Sequence, residues 1–232
     1  IHAYENRQGI IKINAKLKMN EETSNEIIIE ISDNGKGIAE DDLEIAFERH
    51  ATSKIRSAED LSTVKSMGFR GEALASIAAI SRVELVSKTA TQANGQKIVV
   101  EGGNIIEKSE TGACVGTTIT VTNLFYNTPV RYKFLKQDAT EFRYIKEWVQ
   151  KVALANPNIS FRLLNDGKNV FFSNGNGNIL DIIYLMYGKE IKENLLEVNY
   201  ESDNIKVTGV IGNTLISRDN RKEQIIFLNK RN

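Results

Sequence analysis

The chain has 232 residues, 30 Lys and Arg against 30 Asp and Glu, 41% apolar residues and one cysteine. Zero net charge excludes a protein that coats nucleic acid through bulk charge, so any such contact must come from a local patch. The lone cysteine excludes a disulfide framework and fits a reducing compartment, and no run approaches the ~20 apolar residues a membrane helix needs. Two histidines and one cysteine do not build a zinc cage of the usual type. The length allows two modest domains or one large one. The start, Ile1-His2-Ala3-Tyr4-Glu5, has no signal-peptide layout and no initiator Met, which leads to the expectation that the chain begins inside a longer protein.

Ile11, Ile13, Ala15 and Leu17 alternate with Lys12, Asn14 and Lys16, the period of a half-buried strand. A polar hairpin loop over 18–25 leads to a second alternating strand, Ile27, Ile29 and Ile31, which stops at Asp33-Asn34-Gly35. Helical spacing covers 40–49. Residues 50–67 are small, polar and charged, and a loop of that length in a compact domain is usually functional. A helix of little bulk is expected over 72–80, and strands near 82–88, 97–101 and 117–122. A short helix over 129–135 carries Pro129 in its first turn, where the missing N–H costs nothing. A longer helix over 141–155 has Phe142, Ile145, Trp148, Val149 and Val152 at helical spacing, which marks Trp148 as a core anchor. Strands near 159–164 and 169–172 flank the hairpin turn Asn165-Asp166-Gly167-Lys168. Asn174-Gly175-Asn176-Gly177-Asn178 reads as a linker or an ordinary loop. A helix over 179–187 and strands near 194–200, 205–212 and 224–229 complete an α+β pattern with antiparallel or mixed sheets.

Four segments carry chemistry. Asp33 ends an apolar strand, where a carboxylate is costly without a partner. It either takes backbone N–H groups of the following turn or accepts from an adenine amino group across a cleft. In the second case Gly35 and Gly37 let the backbone approach the ring. Gly68-Phe69-Arg70-Gly71-Glu72-Ala73-Leu74 brackets a helix start, whose free N–H groups suit phosphate, with Arg70 adding charge. A plain glycine-capped helix start reads the same way. His50-Ala51-Thr52-Ser53-Lys54 offers hydroxyls and a cation, as a triphosphate lid or as a polar surface loop. Gly116-Thr117-Thr118 opens a strand from which a hydroxyl can reach Asp33 or a phosphate. No G-x-x-x-x-G-K-[ST] string occurs, so P-loop chemistry is absent. Residues 217–232 hold Arg218, Arg221, Lys222, Lys230 and Arg231 against Asp219 and Glu223, a weak candidate DNA patch or simply a solvated loop.

These strings, with Arg49 to Ile55 and with Leu124-Phe125-Tyr126-Asn127-Thr128-Pro129-Val130-Arg131-Tyr132-Lys133-Phe134-Leu135, occur in an order that closely resembles the N-terminal region of MutL-type DNA mismatch-repair proteins, within the GHKL ATPase superfamily. The resemblance runs from about residue 26 to Asn232. R-H-A-T-S-K and G-F-R-G-E-A-L are specific to MutL, whereas D-N-G-x-G-I belongs to the whole superfamily.

The resemblance implies a Bergerat-type α/β sandwich with a left-handed crossover over residues 1–175, followed by the start of a smaller α/β transducer domain over 178–232, both cut short. It implies that Asp33, Gly37, Thr52, Lys54, Arg70, Gly71, Glu72, Ala73, Leu74 and Thr117 bind ATP with Mg²⁺. ATP binding would order the lid and drive dimerisation with a second copy or a paralogue. Slow hydrolysis would reset the switch. DNA and a MutS-type mismatch sensor would be partners, in bacterial cytoplasm or a eukaryotic nucleus. Arg131, Lys133 and Lys136, with Arg218, Arg221, Lys222 and Arg231, are candidate DNA contacts. The family's water-activating Glu and Mg²⁺-binding Asn would lie upstream of Ile1. No catalytic or metal residue is therefore expected among residues 1–232, and this stretch is expected to hydrolyse ATP poorly. The segment 3–25 departs from the family pattern. Two other readings remain: a nucleotide-gated binding module without hydrolysis, and another superfamily member such as a topoisomerase subunit, chaperone or sensor kinase.

Overall fold

The computed structural model describes residues 8–18, 26–50, 71–203 and 205–229. Eight strands form one mixed sheet in the order β5-β4-β3-β6-β2-β1-β7-β8. They are β1 (Gly9–Lys18), β2 (Glu26–Asp33), β3 (Arg82–Lys88), β4 (Gly95–Glu101), β5 (Asn104–Thr111), β6 (Gly116–Thr122), β7 (Ile159–Asn165) and β8 (Lys168–Phe172). The β1–β7 pairing is parallel and the others are antiparallel. A separate hairpin joins β9 (Leu195–Ser202) to β10 (Ile205–Gly212).

Register decides which face is buried, because directly opposed residues share a face. Leu163, Ile13, Ile31, Ile119, Leu85 and Ile98 stand opposite one another across six strands. This face carries both apolar clusters. One joins Ile13, Phe161, Leu163 and Phe171 to Val149, Ala153 and Leu154 of α4 (Asp138–Ala155) and to Ile182 and Ile183 of α5 (Ile179–Tyr187). The other joins Val83, Leu85, Ile98 and Val100 to Leu43 of α1 (Asp42–Ile45) and Ala78 of α2 (Ala73–Ala78). The result is a helix layer on one face of a sheet. Shorter helices follow as α3 (Pro129–Tyr132) and α6 (Lys189–Glu193).

Several expectations are corrected. The helix expected over 40–49 is regular only over Asp42–Ile45, and beyond it the N–H groups of Phe47 and Glu48 bond three residues back, in tight turns. β5 has no apolar alternation because most of its residues are exposed, and α6 is a five-residue helix. The expected strand over 224–229 does not form. Residues 224–227 are irregular, and Ile225 and Phe227 pack on the α4–α5 cluster. Trp148 is no core anchor: it is 66% exposed. Val149 and Ala153, one turn apart, take the core stripe, and Trp148 lies a residue off it beside exposed Tyr144.

The turn chemistry holds. Asp166 and Gly167 both have positive φ, 48° and 77°, as a two-residue type I′ hairpin requires. Asn178 caps α5 by accepting from the Leu180 N–H at 2.9 Å. Tyr187 at the other end is hydrogen-bonded to Glu223. Burial first, and then that carboxylate, hold its hydroxyl above the ordinary tyrosine range.

Candidate nucleotide site

One register step beyond the apolar rows, the helix-covered face turns polar. Asp33, Thr117, Ser87 and Gln96 stand opposite one another on β2, β6, β3 and β4. Two residues earlier in β2 and β3 the same columns hold Ile31 and Leu85. A strand period of two therefore places Asp33 and Ser87 on the face that buries Leu85.

Asp33 is half-buried, and its Oδ1 accepts from the Gly35 N–H at 2.6 Å. The turn-closing reading is thus visible in one oxygen, and Oδ2 has no partner among the described residues. The neighbouring Asn34 holds the strand ends together. Its Oδ1 accepts from the Ile10 N–H at 2.8 Å, and its Nδ2 donates to the Gln8 carbonyl at 3.3 Å.

Ser87 was not legible from the sequence as a site residue. It is fully buried, and its Oγ accepts from the Ile38 N–H at 2.8 Å. The same oxygen lies 3.0 Å from the Gly116 carbonyl and 3.0 Å from Thr117 Oγ1. One hydroxyl thereby ties the loop after Asp33 to the start of β6. Gln96 Nε2 donates to Glu40 Oε2 at 3.3 Å and holds the far end of the same loop. The only sequence signal for either residue is a polar side chain at an inward position of an apolar strand.

Glycine is needed at two points for a reason the sequence did not give. Gly37 has φ 77°, and a Cβ there would lie 2.1 Å from the Lys88 carbonyl oxygen. Gly116 has φ 134°, and a Cβ there would lie 2.2 Å from the Asp33 carbonyl oxygen. Both glycines let the Asp33–Ile38 loop lie against β3 and β6.

On the other side of the loop, Gly71 has φ 63° and Glu72 is the N-cap residue of α2. The Glu72 side chain makes no capping bond. Its Oε1 meets His50 Nδ1 at 3.0 Å instead, so the two ends of the 50–72 span touch. Ala73 and Leu74 form the first turn of α2, and Leu74 packs on the second apolar cluster. Thr52, Lys54 and Arg70 lie outside the described residues, so the lid and the arginine are not placed. Arg218, Arg221 and Lys222 are exposed in the loop after β10, apart from the polar row in sequence and in sheet, and Arg231 lies outside the described residues. Arg131, Lys133 and Lys136 are exposed at and just after α3. Among the described residues no group of three or more His, Cys, Asp or Glu could hold a metal ion, and no helix is long and apolar enough to cross a membrane.

Comparison with known proteins places this geometry. The family model described as "Histidine kinase-, DNA gyrase B-, and HSP90-like ATPase" matches residues 1–125, more than half of the chain. A second model, "DNA mismatch repair protein, C-terminal domain", matches residues 183–232. The DNA mismatch repair protein MutL of Agathobacter rectalis is 51% identical over 88% of this chain and 31% of its own length. That of Halothermothrix orenii is 45% identical over 93% of this chain and 34% of its own length. The chain thus spans about a third of the curated relatives it matches. Among solved structures, the Aquifex aeolicus MutL ATPase domain complexed with ADP superposes with a TM-score of 0.61 at 27% identity, over 82% of this chain and 64% of that one. The yeast topoisomerase II ATPase region superposes with a TM-score of 0.55 at 13% identity, over 81% of this chain and 50% of that one, which is a likeness of fold alone. A topoisomerase, chaperone or sensor-kinase reading is therefore not favoured. With a GHKL-type sheet and helix layer, a transducer-like segment after it, and MutL-type sequence nearly throughout, the chain belongs to the histidine kinase-, DNA gyrase B- and HSP90-like ATPase family and, within it, is an N-terminal region of the MutL-type DNA mismatch-repair proteins.

Proposed function

We propose that the chain binds ATP, with the adenine at the Asp33–Thr117 end of the sheet and the phosphates toward Gly71, Glu72, Ala73 and Leu74. The observation that carries this is the polar row itself. A half-buried carboxylate with one uncommitted oxygen sits beside a hydroxyl on the adjoining strand. A carboxylate oxygen open to a cleft beside a hydroxyl can accept from a ligand that donates. Gly37 lines the same loop, and Thr52, Lys54 and Arg70 belong to the proposed lid and phosphate contacts. Mg²⁺ usually keeps waters and phosphate oxygens with one or two carboxylates, so it would join the nucleotide, with its protein ligand in the family's upstream Asn.

In this reading residues 1–175 form the ATPase domain and residues 178–232 begin the transducer. ATP works as a switch by favouring the closed, dimerised state over the open one. Hydrolysis resets it slowly, with a general base orienting the attacking water. DNA, a MutS-type sensor and a second copy or paralogue are the partners, in the cytoplasm of a bacterium. The exposed Arg218, Arg221, Lys222, Arg131, Lys133 and Lys136, with Arg231, supply the DNA charge, which predicts affinity falling steeply with salt.

The decisive measurement is calorimetric binding of ATP to wild type and to Asp33→Asn. Loss of binding in the variant, with unchanged melting, supports the site; equal affinities would sink it. Comparing ATP with a non-hydrolysable analogue in a dimerisation assay tests the switch, and the analogue should hold the dimer longer.

A further inference from the structure

We infer that Ser87 is a positioning residue that fixes the polarity of the Thr117 hydroxyl and so sets the base preference of the proposed nucleotide site. The inference rests on the reading that Asp33 and Thr117 meet the base.

A serine hydroxyl has one proton and two lone pairs. The Ile38 N–H can only donate, so it occupies one lone pair of Ser87 Oγ, at 2.8 Å. The Gly116 carbonyl can only accept, and it lies 3.0 Å from the same oxygen, so it takes the single proton. Thr117 Oγ1, also at 3.0 Å, must then donate to the remaining lone pair. No other assignment satisfies all three contacts, and Ser87 is fully buried, so no water relieves a mismatch.

The consequence falls on Thr117. Its proton is committed to Ser87, so toward the ligand it shows lone pairs only. Asp33, directly opposite it on β2, is also an acceptor. Asp33 and Thr117 together therefore offer acceptors only, and suit a base bearing an exocyclic amino group. A purine with a keto oxygen at that position brings lone pairs against lone pairs. Without Ser87 the Thr117 hydroxyl can rotate and donate, and the bar to a keto group weakens.

The test uses the full-length protein and two nucleotides, ATP and ITP, which differ at the purine 6-position. Affinities for both are measured in wild type, Ser87→Ala, Ser87→Thr, Thr117→Val and Asp33→Asn, with melting of each ligand-free protein. The expected result is a preference for ATP that narrows about ten-fold in Ser87→Ala, because a site built around hydrogen-bond polarity discriminates strongly. Ser87→Thr keeps the hydroxyl and should keep the preference. Thr117→Val leaves the Ser87 bonds to Ile38 and Gly116 intact and should narrow the preference through lost ATP affinity. An unchanged ATP-to-ITP ratio in Ser87→Ala and Thr117→Val overturns the inference, as does an equal loss for both nucleotides with lowered melting, the mark of a purely structural serine. Asp33→Asn separates the two levels. If it abolishes ATP binding while Ser87→Ala keeps the ratio, only the role of Ser87 falls. If wild type shows no preference and Asp33→Asn binds as wild type does, the adenine site falls with it.

Discussion

Two adjacent rows of the same sheet face behave differently. In the row Ile31, Ile119, Leu85 and Ile98, Leu85 and Ile98 are fully buried and Ile119 packs on their cluster, while Ile31 is exposed. Two residues along each strand, Asp33, Thr117, Ser87 and Gln96 form the polar row. Backbone, face and strand neighbours are the same for both, so the side chains alone separate the apolar row from the row proposed to meet the nucleotide. The apolar row gains by excluding water. The polar row must satisfy each group, as Ser87 does with the Ile38 N–H, the Gly116 carbonyl and Thr117.

The contrast can be tested by substitution, in descending order of expected effect on stability. Leu85→Ala removes a fully buried side chain next to the polar row and should cost about 3 kcal/mol in chemical denaturation. A change below about 1 kcal/mol would mean the apolar row is not the foundation of the site. Gly116→Ala places a Cβ against the Asp33 carbonyl oxygen at positive φ and should cost about 2 kcal/mol while also weakening ATP binding. If stability falls but ATP affinity does not, the loop and the site are less coupled than the Ser87 bonds suggest. Val149→Ala should cost about 1.5 kcal/mol and Trp148→Ala within about 0.5 kcal/mol, because only the first lies on the core stripe of α4. The reverse order would move the stripe by one residue. Asp33→Asn should change stability by about 0.5 kcal/mol or less while removing ATP binding, since the Gly35 N–H still finds an oxygen. His50→Ala removes a side-chain contact to Glu72 exposed on both sides, and its effect on melting should be at the edge of detection.

Local sequence made much of the fold legible. Alternation located β1 and β2, and the strands near 82–88, 117–122 and 159–164 also formed as expected. The Asp166-Gly167 turn signal worked because a tight turn is satisfied within a few residues. β5 escaped because an exposed edge strand has no face to bury. Trp148 was misplaced because helical spacing gives a stripe but not its centre, and Val149 and Ala153 competed successfully for the core.

The site divides in the same way. By itself the sequence determined the Asp33 carboxylate, the glycines that follow it, the helix start after Gly71 and the MutL-type strings that name the family. Those are contiguous runs, and short-range geometry explains them. Only the tertiary structure decided that Ser87 and Gln96 stand in line with Asp33 and Thr117, that Gly37 and Gly116 are needed against Lys88 and Asp33, and that Glu72 reaches back to His50. Each of those contacts joins residues distant in sequence, most of them through strand register, and register is set by which face the whole sheet buries.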